Sequence, residues 1–303
     1  MDASNLHTLL VPIDFGEASL NALQTAAAMA RRHEAKLHLI HVVTTDTVIV
    51  FPEGGMMMDT GIDASVKNAL QQLEELATQL HVQHQLSCSY DVMTGSVTGA
   101  VVEMAKKKHA DLIIIGSYGT SELRAFLMGS NVFNILKNAP CPVLTIPPHR
   151  EWLQFKNILF PVRPVVNALE KYDFARKIIQ RNNAQLIVMG VLERLDNHTF
   201  EELNKEASNL ILQMEQDEVK LQAEFHFCDS FAETIVEKAH ELDVDLLIVT
   251  ASLDYQLKEF FIGPFAQQII NHANVPVLSI RPSGTVPTGE SSLLSDTYLN
   301  RLS

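Results

Sequence analysis

An alternation of strand-like and helix-like segments runs through the first half of this 303-residue chain and then starts again in the second half. Short apolar segments such as Leu37–Val43 are followed by longer segments in which apolar residues recur every three or four positions. Strands and helices that alternate in this way predict a parallel sheet covered by helices on both faces. The pattern indicates the α/β class and excludes all-helical and all-strand folds.

Four segments of the second half match segments of the first. ILFPVRP at 158–164 matches LLVPIDF at 9–15, AQLIVMGV at 184–191 matches AKLHLIHV at 35–42, DLLIVT at 245–250 matches DLIIIG at 111–116, and NVPVLSIRP at 274–282 matches APCPVLTIPP at 139–148. A repeat this long indicates a duplicated domain rather than a solenoid. We expect one domain at 1–148, a second at 149–282, and a Ser-, Thr- and Gly-rich tail at 283–303.

The first half carries an extra segment between its second strand and its next helix. The offset between matching segments falls from 149 positions at the first strand to 134 at the fourth, which places the extra residues in the segment 44–62. Connections of this length are either functional or disordered. The segment is therefore expected to be either a lid over a binding crevice or a loose excursion.

The composition limits the partners that this chain can bind. The formal net charge is −13, and an acidic chain repels the phosphates of nucleic acids and anionic membranes. No apolar run approaches the roughly 18 residues of a membrane-spanning helix. The amino terminus lacks the basic and apolar regions of a signal peptide. We expect no nucleic acid and no membrane as partners, and a cytoplasmic location.

Sites for metal ions and for catalysis are weakly indicated. His81, His84 and Cys88 have a metal-like spacing, but no fourth ligand is nearby in the sequence, so we expect no metal site. Common phosphate-loop, dinucleotide and serine-hydrolase motifs are absent from the sequence, and we expect no catalytic residues. Cys88 and Cys228 lie in similar strand contexts and are interpreted as small core residues in equivalent places.

The segment 111–131, DLIIIGSYGTSELRAFLMGSN, predicts a phosphate-binding loop. Its apolar start is too short for a helix and is typical of a strand buried on both faces. Gly116, Gly119 and Gly129 follow, and Ser130 precedes an apolar periodic segment as a helix N-cap would. Glycines allow a ligand to approach the backbone, and helix amino termini attract phosphate. Taken alone, the same glycines also fit an ordinary turn.

Asp14 ends the first predicted strand and is a second candidate binding residue. In open parallel sheets, ligands bind beyond the carboxyl ends of the strands where the strand order reverses. If the first and fourth strands are neighbours, Asp14 and the glycine loop line one crevice, and Val42 gives it an apolar wall. The alternative is that Asp14 only caps the helix that follows it.

The whole chain resembles the universal stress protein family in its tandem, two-domain form. The residues that carry the resemblance are LVPIDFGEAS, LHLIHVV, the spacing G-x2-G-x9-G-S from Gly116, and CPVLTIP. The resemblance implies two doubly wound domains, each a five-stranded parallel sheet of order 3-2-1-4-5. It also implies that the last strands, 142–146 and 276–280, meet, so that the halves form a pseudo-dimer within one chain. A homodimer of the whole chain is a further expectation.

The resemblance further implies that the first half binds ATP, with or without Mg²⁺. The implied contacts are Pro12 and Asp14 with ribose or adenine, Val42 with adenine, and Gly116, Gly119, Gly129, Ser130 and Asn131 with the phosphates. We therefore expect a regulatory protein of the stress response whose partner molecule is an adenine nucleotide. The alternatives are a slow ATP hydrolase and a nucleotide-free scaffold that works through dimerisation or a partner.

The second half departs from this pattern at the same positions. Arg163 stands where the first half has Asp14, Thr250 and Leu253 replace the first two glycines, and Pro264 follows Gly263. Each change adds bulk or removes an N–H donor where a phosphate would bind. The second half is therefore expected to keep the fold and to lack the nucleotide site.

Overall fold

The fold is taken from a computed structural model. It describes residues 5–44, 49–50, 56–57, 61–117, 129–148, 150–162, 171–192, 208, 210–228, 230–250, 253–254, 259–260 and 264–281. Gly119, Arg163, Gly263, most of the segment 44–62 and the tail 283–303 lie outside these ranges, and the expectations for them are not tested.

Strands and helices alternate along the first half, as the sequence predicts. The elements are β1 (Thr8–Pro12), α1 (Glu17–His33), β2 (Lys36–Val43), β3 (Ile49–Val50), β4 (Met56–Met57), α2 (Ile62–His84), β5 (Cys88–Thr94), α3 (Val97–Lys107), β6 (Leu112–Gly116), α4 (Ser130–Asn138) and β7 (Val143–Ile146). β3 and β4 form a separate two-stranded antiparallel pair.

The second half repeats the alternation. Its elements are β8 (Asn157–Val162), α5 (Lys171–Asn182), β9 (Gln185–Leu192), α6 (210–216), β10 (Lys220–Phe227), α7 (Phe231–Glu241), β11 (Leu246–Thr250), β12 (Leu253–Asp254), β13 (Glu259–Phe260), α8 (Pro264–His272) and β14 (Val277–Ile280). β12 and β13 pair with each other outside the main sheet.

Ten strands form one continuous sheet in the order β10-β9-β8-β11-β14-β7-β6-β1-β2-β5. Within each half the neighbouring strands are parallel, and their order is third, second, first, fourth, fifth. The two halves meet where β14 pairs antiparallel with β7. The predicted α/β class, with mostly parallel strands between helices, is confirmed.

Helices cover both faces of the sheet. Along β1, Leu9 packs with α1 and α2 on one face, and Leu10 packs with α3 and α4 on the other. In the second half, α5 and α6 lie on the first face, and α7 and α8 lie on the second. The central strands are apolar on both sides because each side faces a helical layer. Of the helices in the described ranges, none has the length and apolar character that a membrane span needs.

The duplication extends to individual hydrogen bonds. In each half an aspartate just before the fourth strand accepts two backbone N–H groups at the start of the first strand. Asp111 Oδ2 accepts from His7 and Thr8 at 2.7 and 2.9 Å, and Asp245 Oδ2 accepts from Lys156 and Asn157 at 2.8 and 3.0 Å. These bonds hold the amino ends of the first and fourth strands together in both halves.

A second repeated hydrogen bond uses different side chains in the two halves. The N–H of Leu6 donates to Nδ1 of His33 at 3.3 Å, and the N–H of Phe155 donates to Oδ1 of Asn182 at 3.0 Å. His33 and Asn182 are buried at the ends of α1 and α5. The same backbone group is therefore satisfied by a titratable side chain in one half and by a neutral amide in the other.

One sequence interpretation around β5 is wrong. α2 extends to His84 and is followed by Gln85, which has a φ of 56°, so β5 begins only at Cys88. The strand register pairs Leu37 with Cys88 and Leu186 with Leu221. Cys88 is therefore equivalent to Leu221, and the supposed equivalence with Cys228 fails. The error arose because the segments before these edge strands differ in length.

We predict that His33 makes folding stability depend on pH. Burial, followed by Arg32, Arg181 and Lys177, lowers the pKa of His33 to about 4 from 6.5. Between pH 6.5 and 4 the unfolded chain therefore binds a proton at His33 that the folded chain does not bind. The free energy of unfolding is unaffected by the titration of His33 above pH 6.5 and decreases from pH 6.5 toward pH 4, by up to about 1.4 kcal/mol per pH unit. Urea unfolding at several pH values measures this slope.

The matched variant for this prediction is His33→Asn, because the second half uses Asn182 to bind the equivalent N–H group. The variant should keep most of its stability above neutral pH and should show a smaller loss between about pH 6.5 and 4. His38, whose pKa is also lowered to about 4, should leave a residual slope in both proteins. Equal slopes for the variant and the parent chain would contradict the assignment.

Candidate functional site

The candidate site lies where β1 and β6 separate. These neighbouring strands pair only near their amino ends, at Leu9 with Leu112 and at Leu10 with Ile113. β1 continues to pair with β2, and β6 continues to pair with β7, so the two strands are drawn to opposite sides. The chain crosses to β2 on one side and to β7 on the other, which makes this gap the point where strand order reverses.

Asp14 is exposed just beyond the end of β1. Its Oδ1 accepts the N–H of Gly16 at 2.9 Å, and its own N–H donates to Ser19 Oγ at 3.3 Å. The N-cap of α1 is Gly16, so the alternative in which Asp14 caps this helix is wrong. The carboxylate instead closes a tight turn in which Phe15 has a φ of 63°. The turn holds an exposed carboxylate at the mouth of the gap.

His41 supports this turn from β2. Its Nδ1 lies 2.7 Å from the carbonyl oxygen of Ile13, and its ring centroid lies 4.8 Å from that of Phe15. Because a carbonyl only accepts, Nδ1 carries the proton in this contact. His41 was not among the residues predicted for the site. The sequence does contain one indication of its role: the matching repeat position in the second half is Gly190, so the histidine is specific to the first half.

Pro12 and Val42 form the apolar side of the gap. Pro12 is the buried last residue of β1 and pairs with Ile40 of β2. Val42 is two residues further along β2, beyond the end of β1, and is half-buried. It packs against the α3 and α4 side of the sheet. Both residues therefore lie at the end of the sheet where Asp14 is exposed.

Gly116 ends β6 and has a packing role that the sequence did not reveal. A Cβ added to Gly116 would lie 2.6 Å from the backbone oxygen of Ala18 in α1. The first turn of α1 can approach the strand this closely only because the side chain is absent. A larger residue at position 116 would therefore displace α1 whether or not a ligand binds.

Among the residues that the structure describes, none covers the amino terminus of α4. The helix begins at Ser130, and Gly129 is its N-cap, because the N–H of Phe133 bonds to the carbonyl of Gly129 at 3.1 Å. The prediction that Ser130 is the N-cap is therefore wrong by one residue. Ser130 and Asn131 are exposed in the first turn, and within the described ranges no side-chain hydrogen bond caps the helix. A Cβ added to Gly129 would meet no described atom within 4 Å. This end offers N–H groups and a partial positive charge.

The structure thus places seven of the eight predicted site residues. Pro12, Asp14 and Gly116 lie at the ends of neighbouring strands, Val42 lies on the next strand, and Gly129, Ser130 and Asn131 form the start of α4. Gly119 belongs to the part of the chain that is not described. Among the residues that are described, no three of the His, Cys, Asp and Glu side chains lie close enough together to hold a metal ion.

The equivalent gap in the second half contains a buried cation. β8 and β11 also pair only near their amino ends. The ammonium of Lys171 donates to the carbonyl oxygens of Pro161 and Ile248 and lies 4.3 Å from the ring centroid of Phe160. Lys171 is 3% exposed. Its repeat counterpart in the first half is the buried Ala22, so this cation is specific to the second half.

The rest of the second gap also departs from the first. Thr250 ends β11 at the place where Gly116 ends β6, and Pro264 is the first residue of α8. A proline at this position removes one of the N–H groups that a helix amino terminus offers. The two gaps therefore have the same backbone layout and different chemistry.

Comparison with known proteins assigns both halves to one family. The model of the universal stress protein family matches residues 5–147 and 154–281. A universal stress protein of Methanocaldococcus jannaschii is 29% identical over 145 residues, which cover 46% of this chain and 80% of that protein.

Solved structures support the fold over nearly the whole chain. The crystal structure of a universal stress protein from Archaeoglobus fulgidus matches with a TM-score of 0.71 and 16% identity, covering 92% of this chain and 97% of that one. A universal stress protein in complex with cAMP covers 48% of this chain and 99% of its own, with 23% identity and a TM-score of 0.34, too low to bear on the ligand here. The chain therefore belongs to the universal stress protein family, which it matches twice in tandem.

Proposed function

We propose that the first half binds an adenine nucleotide, ATP, in the gap between the ends of β1 and β6, and that the protein acts as a regulatory component of the stress response. The observation that carries this proposal is the placement of an exposed Asp14 and an open α4 amino terminus around the point where strand order reverses. This is the position at which open parallel sheets bind nucleotides. A partner molecule then responds to the bound state.

The chemistry of the residues fits the parts of a nucleotide. The exposed Asp14 carboxylate accepts hydrogen bonds, which suits ribose hydroxyls or an adenine amine. Val42 offers apolar contact to a base. No described residue fills the space beside Gly129, which leaves the first N–H groups of α4 accessible to phosphate oxygens. If Mg²⁺ accompanies the nucleotide, we propose that the phosphates supply its main ligands, as is common for this ion.

We propose that the second half binds no nucleotide. The ammonium of Lys171 already occupies the carbonyl groups between β8 and β11, and Pro264 removes an N–H group from the start of α8. Arg163, at the position of Asp14, replaces an acceptor with a donor. One nucleotide per chain follows from these differences.

The proposed domain arrangement is based on the continuous ten-stranded sheet. We propose domains at 1–148 and 149–282 with a tail at 283–303, and a pseudo-dimer of the two halves through the antiparallel pair of β14 and β7. A homodimer of the whole chain and a cytoplasmic location belong to the same proposal. A slow ATP hydrolase and a nucleotide-free scaffold are the competing functions, and nucleotide binding and turnover measurements distinguish them.

The first prediction from this proposal concerns Asp14. Isothermal titration of the full chain with ATP should give a stoichiometry of one. Asp14→Ala should weaken binding by about 1.5–3 kcal/mol, or roughly 10- to 150-fold in Kd, because a hydrogen bond to a charged group is lost. Asp14→Asn keeps an oxygen for the Gly16 N–H and separates the loss of charge from the loss of the turn. Unchanged affinity in both variants, or a stoichiometry of two, would refute the assignment.

The second prediction tests the start of α4 with a substitution at Gly129 and a control substitution at Gly99. Gly129→Ala should weaken ATP binding by about 1–3 kcal/mol, because the methyl group enters space that the phosphates need. Its stability should change by less than about 0.5 kcal/mol, since Gly129 has a φ of −59° and a Cβ there meets no neighbour among the described residues. ATP titration and thermal unfolding measure the two effects.

Gly99→Ala is the matched control, because Gly99 lies in α3 and a Cβ there makes only ordinary contacts. It should leave ATP affinity unchanged. Gly116→Ala is unsuitable as a binding test, because it should displace α1 through the contact with Ala18. Equal ATP affinities for Gly129→Ala, Gly99→Ala and the parent chain would remove α4 from the proposed site.

A further inference from the structure

Four polar side chains meet on the edge of the sheet, at the end opposite the nucleotide gap. His38 is near the start of β2, and Ser89 and Asp91 are on the edge strand β5. The parallel register places His38 directly beside Ser89. Lys108, the C-cap of α3, completes the cluster. This group is separate from Asp14 and from the start of α4.

The distances in this cluster link a hydroxyl, an imidazole and a carboxylate. Ser89 Oγ lies 2.7 Å from His38 Nδ1, and His38 Nε2 lies 3.2 Å from Asp91 Oδ2. The second contact is within ion-pair distance but outside hydrogen-bond geometry, so it is electrostatic. Lys108 Nζ lies 3.3 Å from the same carboxylate oxygen. His38 is buried, whereas Ser89 is exposed to solvent.

The protonation state of His38 suits a proton acceptor. Burial is the largest cause that lowers the pKa of His38 to about 4; Lys108 and Lys107 also lower it, and Asp91 opposes the shift. The imidazole is therefore neutral at pH 7 and carries one proton. With that proton on Nε2, facing the Asp91 carboxylate, Nδ1 is free to accept the hydroxyl proton of Ser89.

The sheet itself does not require this polar group. In the second half, Ile187 occupies the position of His38 and pairs with Gln222, and Leu242 occupies the position of Lys108. The fold therefore accommodates an apolar residue at the position that His38 occupies in the first half. The first half instead buries an imidazole, which costs free energy unless it is compensated. The cluster is a feature of the first half and not a requirement of the architecture.

We propose that Ser89 is a nucleophile that accepts an acyl group from small activated esters, with His38 as the proton acceptor and Asp91 as a positioning residue. A hydroxyl becomes reactive when an adjacent base is held in place by a third group. Ser89 lies on an exposed edge strand, so the donor must be small and must present its carbonyl carbon from solvent. Lys108 pairs with the Asp91 carboxylate and so helps to hold it beside His38.

The reaction balances without any other reactant. Ser89 Oγ forms a bond to the acyl carbon of the ester, and the bond from that carbon to the alkoxy oxygen breaks. The hydroxyl proton passes to His38 Nδ1 and then to the leaving oxygen. The products are O-acyl Ser89 and one alcohol, and hydrolysis of the acyl group by water would return the free serine.

The experiment exposes the full-length chain to p-nitrophenyl acetate, follows the release of p-nitrophenolate, and locates acetyl groups by mass spectrometry. We expect acetylation at Ser89 and none there in Ser89→Ala. His38→Gln should slow acetylation of Ser89 by about 100-fold, the lower range for loss of a general base. Ser87→Ala is the matched control, because Ser87 is exposed just before the same strand and should not affect labelling of Ser89.

The pH profile distinguishes an active role of His38 from a structural one. Acetylation of Ser89 in the folded protein should stay level between about pH 7.5 and 5.5, since the low pKa keeps His38 neutral there. An ordinary histidine would lose most of its base form over the same range. Asp91→Asn, at a half-exposed position, should also slow labelling while circular dichroism stays native.

Several results would overturn the proposal. They are acetyl groups on lysines alone, equal labelling of Ser87 and Ser89, or an unchanged Ser89 rate in both His38→Gln and Asp91→Asn. None of these measurements involves ATP, so the proposed nucleotide site and this site fail independently.

Discussion

The clamp formed by Asp111 on the start of β1 is the interaction on which the candidate site depends. It joins the amino ends of the first and fourth strands by two hydrogen bonds, and the register between those strands ends two residues later. Since β1 then follows β2 and β6 follows β7, the strands separate toward their carboxyl ends. A gap is therefore a consequence of strand order and of this clamp, and the second half repeats both through Asp245.

The two halves show how one backbone layout supports different chemistry. In the first half a buried Ala22 stands where the second half has Lys171, and His41 holds the turn that exposes Asp14. In the second half Lys171 bridges the strand ends. There Phe225 covers Gly190, at which an added Cβ would lie 2.3 Å from the Phe225 ring. Side-chain differences at matching positions thus give the two gaps different chemistry on the same backbone layout.

Much of the fold could be predicted from the sequence, because it follows from hydrophobic pattern and repetition. The alternation of strands and helices in both halves follows the predicted pattern, and the observed strand order is the one that the family resemblance implied. The equivalence of Cys88 with Cys228 failed, because α2 continues through polar residues to His84 and β5 begins only at Cys88. Edge strands are only half-buried, so their apolar pattern is weak.

The candidate site could be predicted only in part, because several of its features depend on tertiary contacts. The glycine at position 116 suggested a ligand, but its closest neighbour is the backbone of Ala18, which no sequence spacing reveals. Lys171 and the pair of His38 with Ser89 are visible only once strand register is known. A position-by-position comparison of the two repeats marks both places, because Lys171 aligns with Ala22 and His38 aligns with Ile187.

The pairing of β14 with β7 also connects the second half to the helix that opens on the candidate site. Arg281, just after β14, donates from Nη2 to the carbonyl oxygens of Leu136 and Lys137 near the end of α4. A cation at this end opposes the negative pole of the helix dipole and satisfies carbonyls that lack helical partners. The amino end of the same helix carries the N–H groups that no described side chain caps. The second half therefore stabilises the helix whose amino end belongs to the proposed nucleotide site, which gives a domain without the glycine signature a physical reason to remain attached.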